Sequence, residues 1–550
     1  MQRTTRILLT FLILFPALAA CGAGGPTAVV RVGWIGEPDS LNPGVALLVH
    51  SFSIFGLIYD TLYEYDLDGT YRLSLAESVE VSPDNKVWTF KIRDGVKFHD
   101  GEPLSADDVV FSYNLYHAHP DEFPLLNPYT DYFDSVTTAS GNKVVITLTE
   151  AIPNMESQLT GLYILPKHIW EKVVDPTEMT IPLEQTVGSG PYKLVKYESG
   201  SLMRLESIQT HFKYHPRVAA VEFVIYPDTS SMVLALQNKQ IDLISSVPIS
   251  AVKALNDLPG VRIVAGPPIS PKISDVILNQ IDPANCPVEE GGLCTGHPAL
   301  RDRNVRLAMA YAVNKQKLVD EVFIGLADPG LTLIPKGFGA FYNSSIKDYE
   351  FDVSKANQIL EDAGYLDTDS DGIREMPGGG MPLSFRMNWS GGNDYYAHEA
   401  ELLKFMWSQI GIDVQAQEYS TDDDLTTICC PAFDYDILLW EWESDPDPNF
   451  LLSLMRTEEI PSGASETGYS NPQYDQLYDR QAVEMDKENR LQLVWQMQDI
   501  VHQDVVYIIP FYQKTIQAYR TDTFHGWMTE SSNLDLESVS SLSVIEPIGQ

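Results

Sequence analysis

The chain has 550 residues and a formal charge of −39, with 44% apolar and 21% charged residues. At that length a single core cannot enclose the chain, so roughly two to four domains are expected, and the apolar content excludes a disordered polymer. The acidic excess repels phosphate backbones and no concentrated basic patch offsets it, so a nucleic-acid partner is not expected.

Residues 1–20 read as an export signal, with Arg3 and Arg6 ahead of the apolar run ILLTFLILFPALAA, which is too short to span a bilayer comfortably. The run closes on Leu18-Ala19-Ala20-Cys21-Gly22, the pattern of a lipobox, which makes Cys21 the expected lipidation site. The alternative is ordinary cleavage after small residues, with Cys21 a neighbour by chance. Several acyl chains would hold the protein stably on a membrane surface. No later run of the sequence is long and apolar enough to cross one.

A short tether, residues 21–26, leads into AVVRVGWIG, which reads as a strand. In VWTFKIR (87–93), Trp88, Phe90 and Ile92 alternate with Thr89, Lys91 and Arg93, the period of a half-buried strand. Ser105 and Asp108 stand at capping-box spacing ahead of the helix ADDVVFSYNLYH. Strands are predicted at KVVITLT (143–149), LMRLESI (202–208) and VAAVEFVIY (218–226). Helices then dominate: NVRLAMAYAVNKQKLVDEVF, VSKANQILEDAG, HEAELLKFMWSQIG and KENRLQLVWQMQDIVHQD, with strands LSFRMNW, IDVQAQEY and YDILLWEW between them. Strands and helices mix throughout without repeats or long linkers, which predicts α/β domains with the chain passing between them.

Export permits disulfides, and Cys286 and Cys294 bracket the short loop CPVEEGGLC, so a bridge is expected there. The adjacent Cys429 and Cys430 either bond to each other or stay reduced. His117-x-His119 and His211-x3-His215 each supply half a metal site. Asp367, Asp369, Asp371 and Gly372 have the spacing of a calcium loop, but position twelve is Gly378 where a bidentate Glu belongs. Calcium is the candidate ligand, an acidic turn after a helix is the alternative, and no other cofactor is expected. G-x-S-x-G, H-E-x-x-H and Walker A are all absent, so no enzyme is expected.

The stretch LLWEWESDPDPNFLL (438–452) combines acids with indoles, as a glycosidase or a cation-binding pocket would. On a strand Trp440 and Trp442 share one face while Glu441 and Glu443 share the other. A glycosidase sets two carboxyls about 5–10 Å apart across a sugar, whereas these acids crowd one segment, which favours binding over hydrolysis.

Longer runs carry a resemblance. They are YDTLYEYDLDGTYRLSLAESVEVSPDNKVWTFKIRDGVKFHDGEPLSADDVVFSYN (59–114), GSGPYKLVKYESG (188–200), ALQNKQIDLI (235–244), NVRLAMAYAVNKQKLVDEVFIG (304–325), KANQILEDAGYLDTDSDGIRE (355–375), LWEWESDPDPNFL (439–451), YSNPQYDQL (469–477) and YIIPFY (507–512). In this order the chain resembles the family-5 extracellular solute-binding proteins (peptide/nickel type) of bacterial ABC importers. The resemblance implies an α/β, two-lobed periplasmic-binding-protein-like fold (type II, large cluster) with an extra third domain inserted in the first lobe. Lobe one would comprise residues 27–57, 186–270 and 506–550, the inserted domain 58–185, and lobe two 271–505.

The implied function is a lipid-anchored receptor facing the periplasm or cell exterior, monomeric, that captures peptides between its lobes and delivers them to an ABC permease. By the family's W-x-x-D placement, Asp445 after Trp442 would meet the ligand's ammonium, and Trp440 with Glu443 repeats that spacing one dipeptide earlier. Asn388, Trp389, Asn393, Phe511 and Tyr512 are the further expected wall residues. No arginine stands between Asn388 and Asn393 to meet a dipeptide carboxylate. This points towards oligopeptides, with an oligosaccharide, a metal chelate or an opine-like compound as the alternative ligand.

Overall fold

In the computed structural model, residues 26–391, 395–444 and 446–549 are described. The first lobe is built on a seven-stranded sheet in the order Val261–Gly266, Thr515–Arg520, Leu243–Ile244, Val29–Ile35, Ala220–Tyr226, Leu202–Ser207, Tyr192–Glu198. Val29–Ile35 runs parallel to both of its neighbours, and the outer pairings are antiparallel. Val30, Val32 and Trp34 on one face of this central strand are buried, while Arg31 between them is exposed and pairs with Glu222 on the neighbouring strand.

The inserted domain carries a four-stranded antiparallel sheet, Ala76–Val81, Val87–Ile92, Lys143–Leu148, Phe133–Ala139, covered by the helix Ala106–His117. Trp88, Phe90 and Ile92 turn inward, following the period-two pattern. The helix starts at a capping box in which the Ser105 backbone N–H donates to Asp108 Oδ2 at 2.9 Å. Its core is not separate. One apolar cluster runs from Val30 and Trp34 through Phe55 and Tyr59 to Phe90, Tyr113 and Ile146, so lobe one and the insert pack as one body.

The junction explains the sequence GSGPY. The chain leaves lobe one through the helix Val49–Ile58 and returns through Gly188-Ser189-Gly190, which lies directly on that helix's last carbonyls. The Gly190 N–H donates to Ile58 O at 2.8 Å. A Cβ on Gly190 would sit 2.6 Å from Leu57 O, and one on Gly188 would collide with Ile58 O, so backbone approaches backbone here only because both residues lack a side chain.

Lobe two has a six-stranded sheet, Ala327–Pro329, Tyr507–Gln513, Lys272–Leu278, Ile437–Glu443, Ser384–Ser390, Asp413–Tyr419. Helices cover both faces. Arg303–Ala312, Val353–Asp362 and Tyr396–Ser408 pack on Val276 and Leu278, while Pro472–Val483 and Lys487–Asp504 pack on Ile273 and Ile277. The chain crosses between lobes at Pro267–Pro271 and again at Lys514. The second crossing is later than the expected 505/506 boundary, because Tyr507–Gln513 pairs with Lys272–Leu278 and only Thr515–Arg520 joins the lobe-one sheet. YIIPFYQKTIQAYR is continuously strand-like, and local pattern does not say where one sheet stops and the other begins.

Cys286 and Cys294 are bonded, as are Cys429 and Cys430. The two loops meet, since the backbone N–H groups of Leu293 and Cys294 both donate to Ala432 O. No helix among the described residues is long and apolar enough to cross a membrane.

Replacing Gly188 with Ala forces the insert's return strand off the helix end. Overpacking against backbone costs about 1–3 kcal/mol, so urea unfolding of Gly188→Ala should show a lowered midpoint. Gly380→Ala, at an exposed position with open space around it, should stay within about 0.5 kcal/mol of the parent. Equal midpoints for the two variants would refute the contact.

Candidate functional site

A cavity of about 520 Å³ opens between lobe one and the insert, with Ile269 and Ser270 of the first crossing and Pro446 of lobe two on its wall. Three stretches build it. Val49, Phe52, Ser53 and Gly56 lie on one face of the helix Val49–Ile58 at helical spacing. The chain just beyond it supplies Tyr59, Asp60, Glu64 and Tyr65, and the C-terminal segment supplies Asp535, Glu537 and Ser540. Tyr129, Tyr163 and Tyr214 add further rings.

Four of these side chains are acids, and the fold treats them in two ways. Asp60 is buried against His211 Nε2 at 3.2 Å and accepts from Ser189 Oγ at 2.8 Å. Glu64 pairs with Lys213 and accepts from the Tyr214 hydroxyl at 3.1 Å. Burial draws the Lys213 ammonium below its ordinary value, and the charge of Asp60 opposes that.

Asp535 and Glu537 have no basic side chain as partner among the described residues. Glu537 accepts from Trp34 Nε1 at 2.8 Å and Ser53 Oγ at 3.2 Å, and its own N–H donates to Asp535 Oδ1 at 3.0 Å. Desolvation pushes both carboxyls well above the usual range, and the charge of Asp535 adds to the shift of Glu537. The cavity thus offers aromatic walls and desolvated carboxyls, suited to a ligand with an apolar body and a polar or positive end.

The expected binding residues lie elsewhere. Asp445 and Asn393 fall outside the described residues, as does Cys21. Trp440 and Trp442 do share a face, but it packs on the lobe-two core, where Trp442 Nε1 donates to Glu466 and its ring meets Phe450 edge-on at 5.4 Å. Glu441 points the other way and accepts from Tyr395 Oη and Gln513 Nε2, both at 2.7 Å. Glu443 pairs with Lys272 at 2.9 Å. Asn388 and Trp389 are buried within the lobe-two sheet, and neither reaches the cavity.

Phe511 corrects its expectation outright. It is fully buried, 4.7 Å from the Phe323 ring, because the strand carrying it is interior to the lobe-two sheet. Tyr512 is likewise internal, its hydroxyl accepting from the Leu331 and Thr332 N–H groups. Asp367, Asp369, Asp371 and Glu375 do converge, with one oxygen of each within 4.8 Å of the others. Glu375, not Gly378, completes that group, and it accepts from Thr368 N at 2.8 Å.

The cavity acids were not singled out from sequence. YDTLYEYD serves only as part of a run carrying the family resemblance, and nothing local ties Glu537 to Trp34. Lobe two hides further acids. Asp275 is buried with neither carboxylate oxygen hydrogen-bonded, and desolvation together with Glu466 and Glu399 drives its carboxyl upward. Glu399 is pushed up to about 8, first by burial and then by the charge of Glu441.

A family model described as bacterial extracellular solute-binding proteins, family 5 Middle, matches residues 70–461. The oligopeptide-binding protein AppA of Bacillus subtilis is 27% identical over 459 residues, covering 81% of this chain and 79% of that protein. Heme-binding protein A of Haemophilus influenzae is 25% identical over 480 residues, covering 82% of this chain and 81% of that one. The structure of AppA from Bacillus subtilis in complex with a nonapeptide matches with a TM-score of 0.70 at 24% identity, over 95% of this chain and 99% of that one.

Glu399 makes stability depend on pH in a known direction. Its folded carboxyl keeps its proton up to about pH 8, while the unfolded one releases it near 4.5. The folded state therefore binds more protons in that window, and stability falls as pH rises through it, by at most about 1.4 kcal/mol per pH unit for one group. Glu399→Gln should flatten this decline in denaturant midpoints measured across the window. An unchanged slope would show that Glu399 is not the group responsible.

Proposed function

The chain belongs to family 5 of the bacterial extracellular solute-binding proteins, and from that premise we propose that it captures oligopeptides in the cavity between lobe one, the insert and lobe two. A member of this family is a transport receptor of an ABC importer, not an enzyme. The observation that carries the peptide reading is the wall itself. Five tyrosine rings and Phe52 suit side chains of varied shape, while the many carboxyls and hydroxyls between them meet backbone amides and a terminal ammonium. The relative named for oligopeptides, and its complex with a nonapeptide, agree with a ligand longer than two residues.

In this reading the lobes rotate about Pro267–Pro271 and Lys514, and Pro446 moves with lobe two against the ligand. Closure presents a surface that exists only when ligand is bound, which a permease recognises. Cys21 carries the lipid that keeps the receptor at the membrane, with residues 22–26 as tether.

Two measurements test this. Ligand that binds only the folded state at about 100 times Kd raises stability by about 2.7 kcal/mol, so one or more oligopeptide pools should raise the melting temperature and be recovered uncut. Native mass spectrometry of purified protein should show a co-purified peptide; a non-peptide mass that alone stabilises the protein would overturn the peptide reading. For the anchor, the expressed full chain should partition with detergent in phase separation and Cys21→Ser should not. If both stay in the aqueous phase, the lipid assignment is wrong.

A further inference from the structure

We propose that Asp535 and Glu537 form the subsite for a positively charged group of the ligand, an ammonium or a guanidinium. The inference rests on the reading of the cavity as the ligand site. It follows from counting what each acid in the cavity already has. Asp60 has His211, and Glu64 has Lys213. Asp535 and Glu537 have no cationic partner among the described residues, and no lysine, arginine or histidine lines the cavity. Two carboxyls thus stand side by side, half-buried, on the cavity wall, with no basic group beside them to offset their repulsion. Such an arrangement is costly unless a proton or a cation compensates it.

The pair is built rather than incidental. Glu537 is held by the indole N–H of Trp34, itself only 2% exposed, and by Ser53 Oγ from the cavity helix. Both donors leave the carboxylate on the cavity wall instead of turning it into solvent. Tyr59 lines the same cavity, is 3% exposed, and its sealed hydroxyl has no hydrogen-bond partner among the described residues.

A protonated amine or guanidinium entering here gains charge-assisted hydrogen bonds to two carboxylates, and the rings of Phe52, Tyr65 and Tyr214 on the same wall favour its faces. A ligand carboxylate would meet the same charges unfavourably, so a peptide must orient with its positive group towards the C-terminal segment. The charge comes from the amino terminus or from a basic side chain.

The test is calorimetric titration of the full mature protein, stripped of ligand, with pentapeptide pools. Each pool holds one lysine or norleucine at scanned positions, with a free or acetylated amino terminus. The wild type should bind a charged pool about tenfold or more tightly than the acetylated norleucine pool. Loss on acetylation assigns the terminus, and loss on norleucine assigns the side chain. Glu537→Gln, which preserves shape, should reduce the preference, and Asp535→Asn with Glu537→Gln should abolish it. If the double variant does not fold, by circular dichroism, the single variant decides.

Equal binding of all pools by the wild type, or an undiminished preference in the variants, overturns the subsite while leaving the peptide reading intact. If no pool binds, the peptide reading fails instead, and thermal shifts with spermidine and agmatine decide the subsite alone. Stabilisation of the wild type but not of the variant supports it, and no stabilisation overturns it.

Discussion

The chain leaves lobe one at Ile58 and comes back at Gly188, and the two points are pressed together backbone to backbone. That contact organises the half of the molecule that carries the cavity. Gly190 N–H bonds to Ile58 O, His99 N–H bonds to Gly188 O, and Ser189 Oγ reaches Asp60 just beyond the helix end. The insert therefore hangs from lobe one by a clasp made mainly of backbone, and one apolar core runs through both. The helix Val49–Ile58 is held at a fixed angle, with one face against the core and the Phe52 and Ser53 face open to the cavity. Without the clasp, Asp60, Glu64 and the tyrosines of the insert would have no fixed relation to the C-terminal segment.

The second theme is how a strongly acidic protein treats the acids it buries. Several are met by an aromatic donor, while Asp447 and Asp436 are met by arginine. Trp34 serves Glu537, Trp442 serves Glu466, Tyr395 serves Glu441, and Tyr214 joins Lys213 at Glu64. Indole and phenol are apolar enough to pack in a core yet present one well-placed hydrogen, so they satisfy a carboxylate at little cost to packing. Glu64 aside, the result is a set of carboxyls fixed in place by hydrogen bonds. In lobe two these shape the pH response of stability. On the cavity wall they face open space.

The pairing of tryptophan with acid was visible in WEWESDP, and the alternation predicted there holds, with the indoles on one face and Glu441 on the other. What local pattern missed was the partner. The acid bonded to Trp442 is Glu466, from a separate loop, and the acid bonded to the core residue Trp34 is Glu537, near the opposite end of the chain. Likewise Phe511 and Tyr512 look like wall residues by position, yet their strand is interior to a sheet and its rings serve the core.

The sequence by itself determined the α/β class, the capping box at Ser105, the inward face of Val87–Ile92, the pairing of Cys286 with Cys294 across a short loop, and, through its ordered motifs, the family. All of these depend on spacings within a few residues or on motif order along the chain. The tertiary structure alone decided that Tyr507–Gln513 belongs to lobe two, that the insert shares the core of lobe one, and which acids face the cavity. Those facts are juxtapositions of segments hundreds of residues apart, brought together by packing of apolar faces that carry no address for their partner. A carboxylate beside water and a carboxylate sealed under an indole read the same in sequence, and only burial tells them apart.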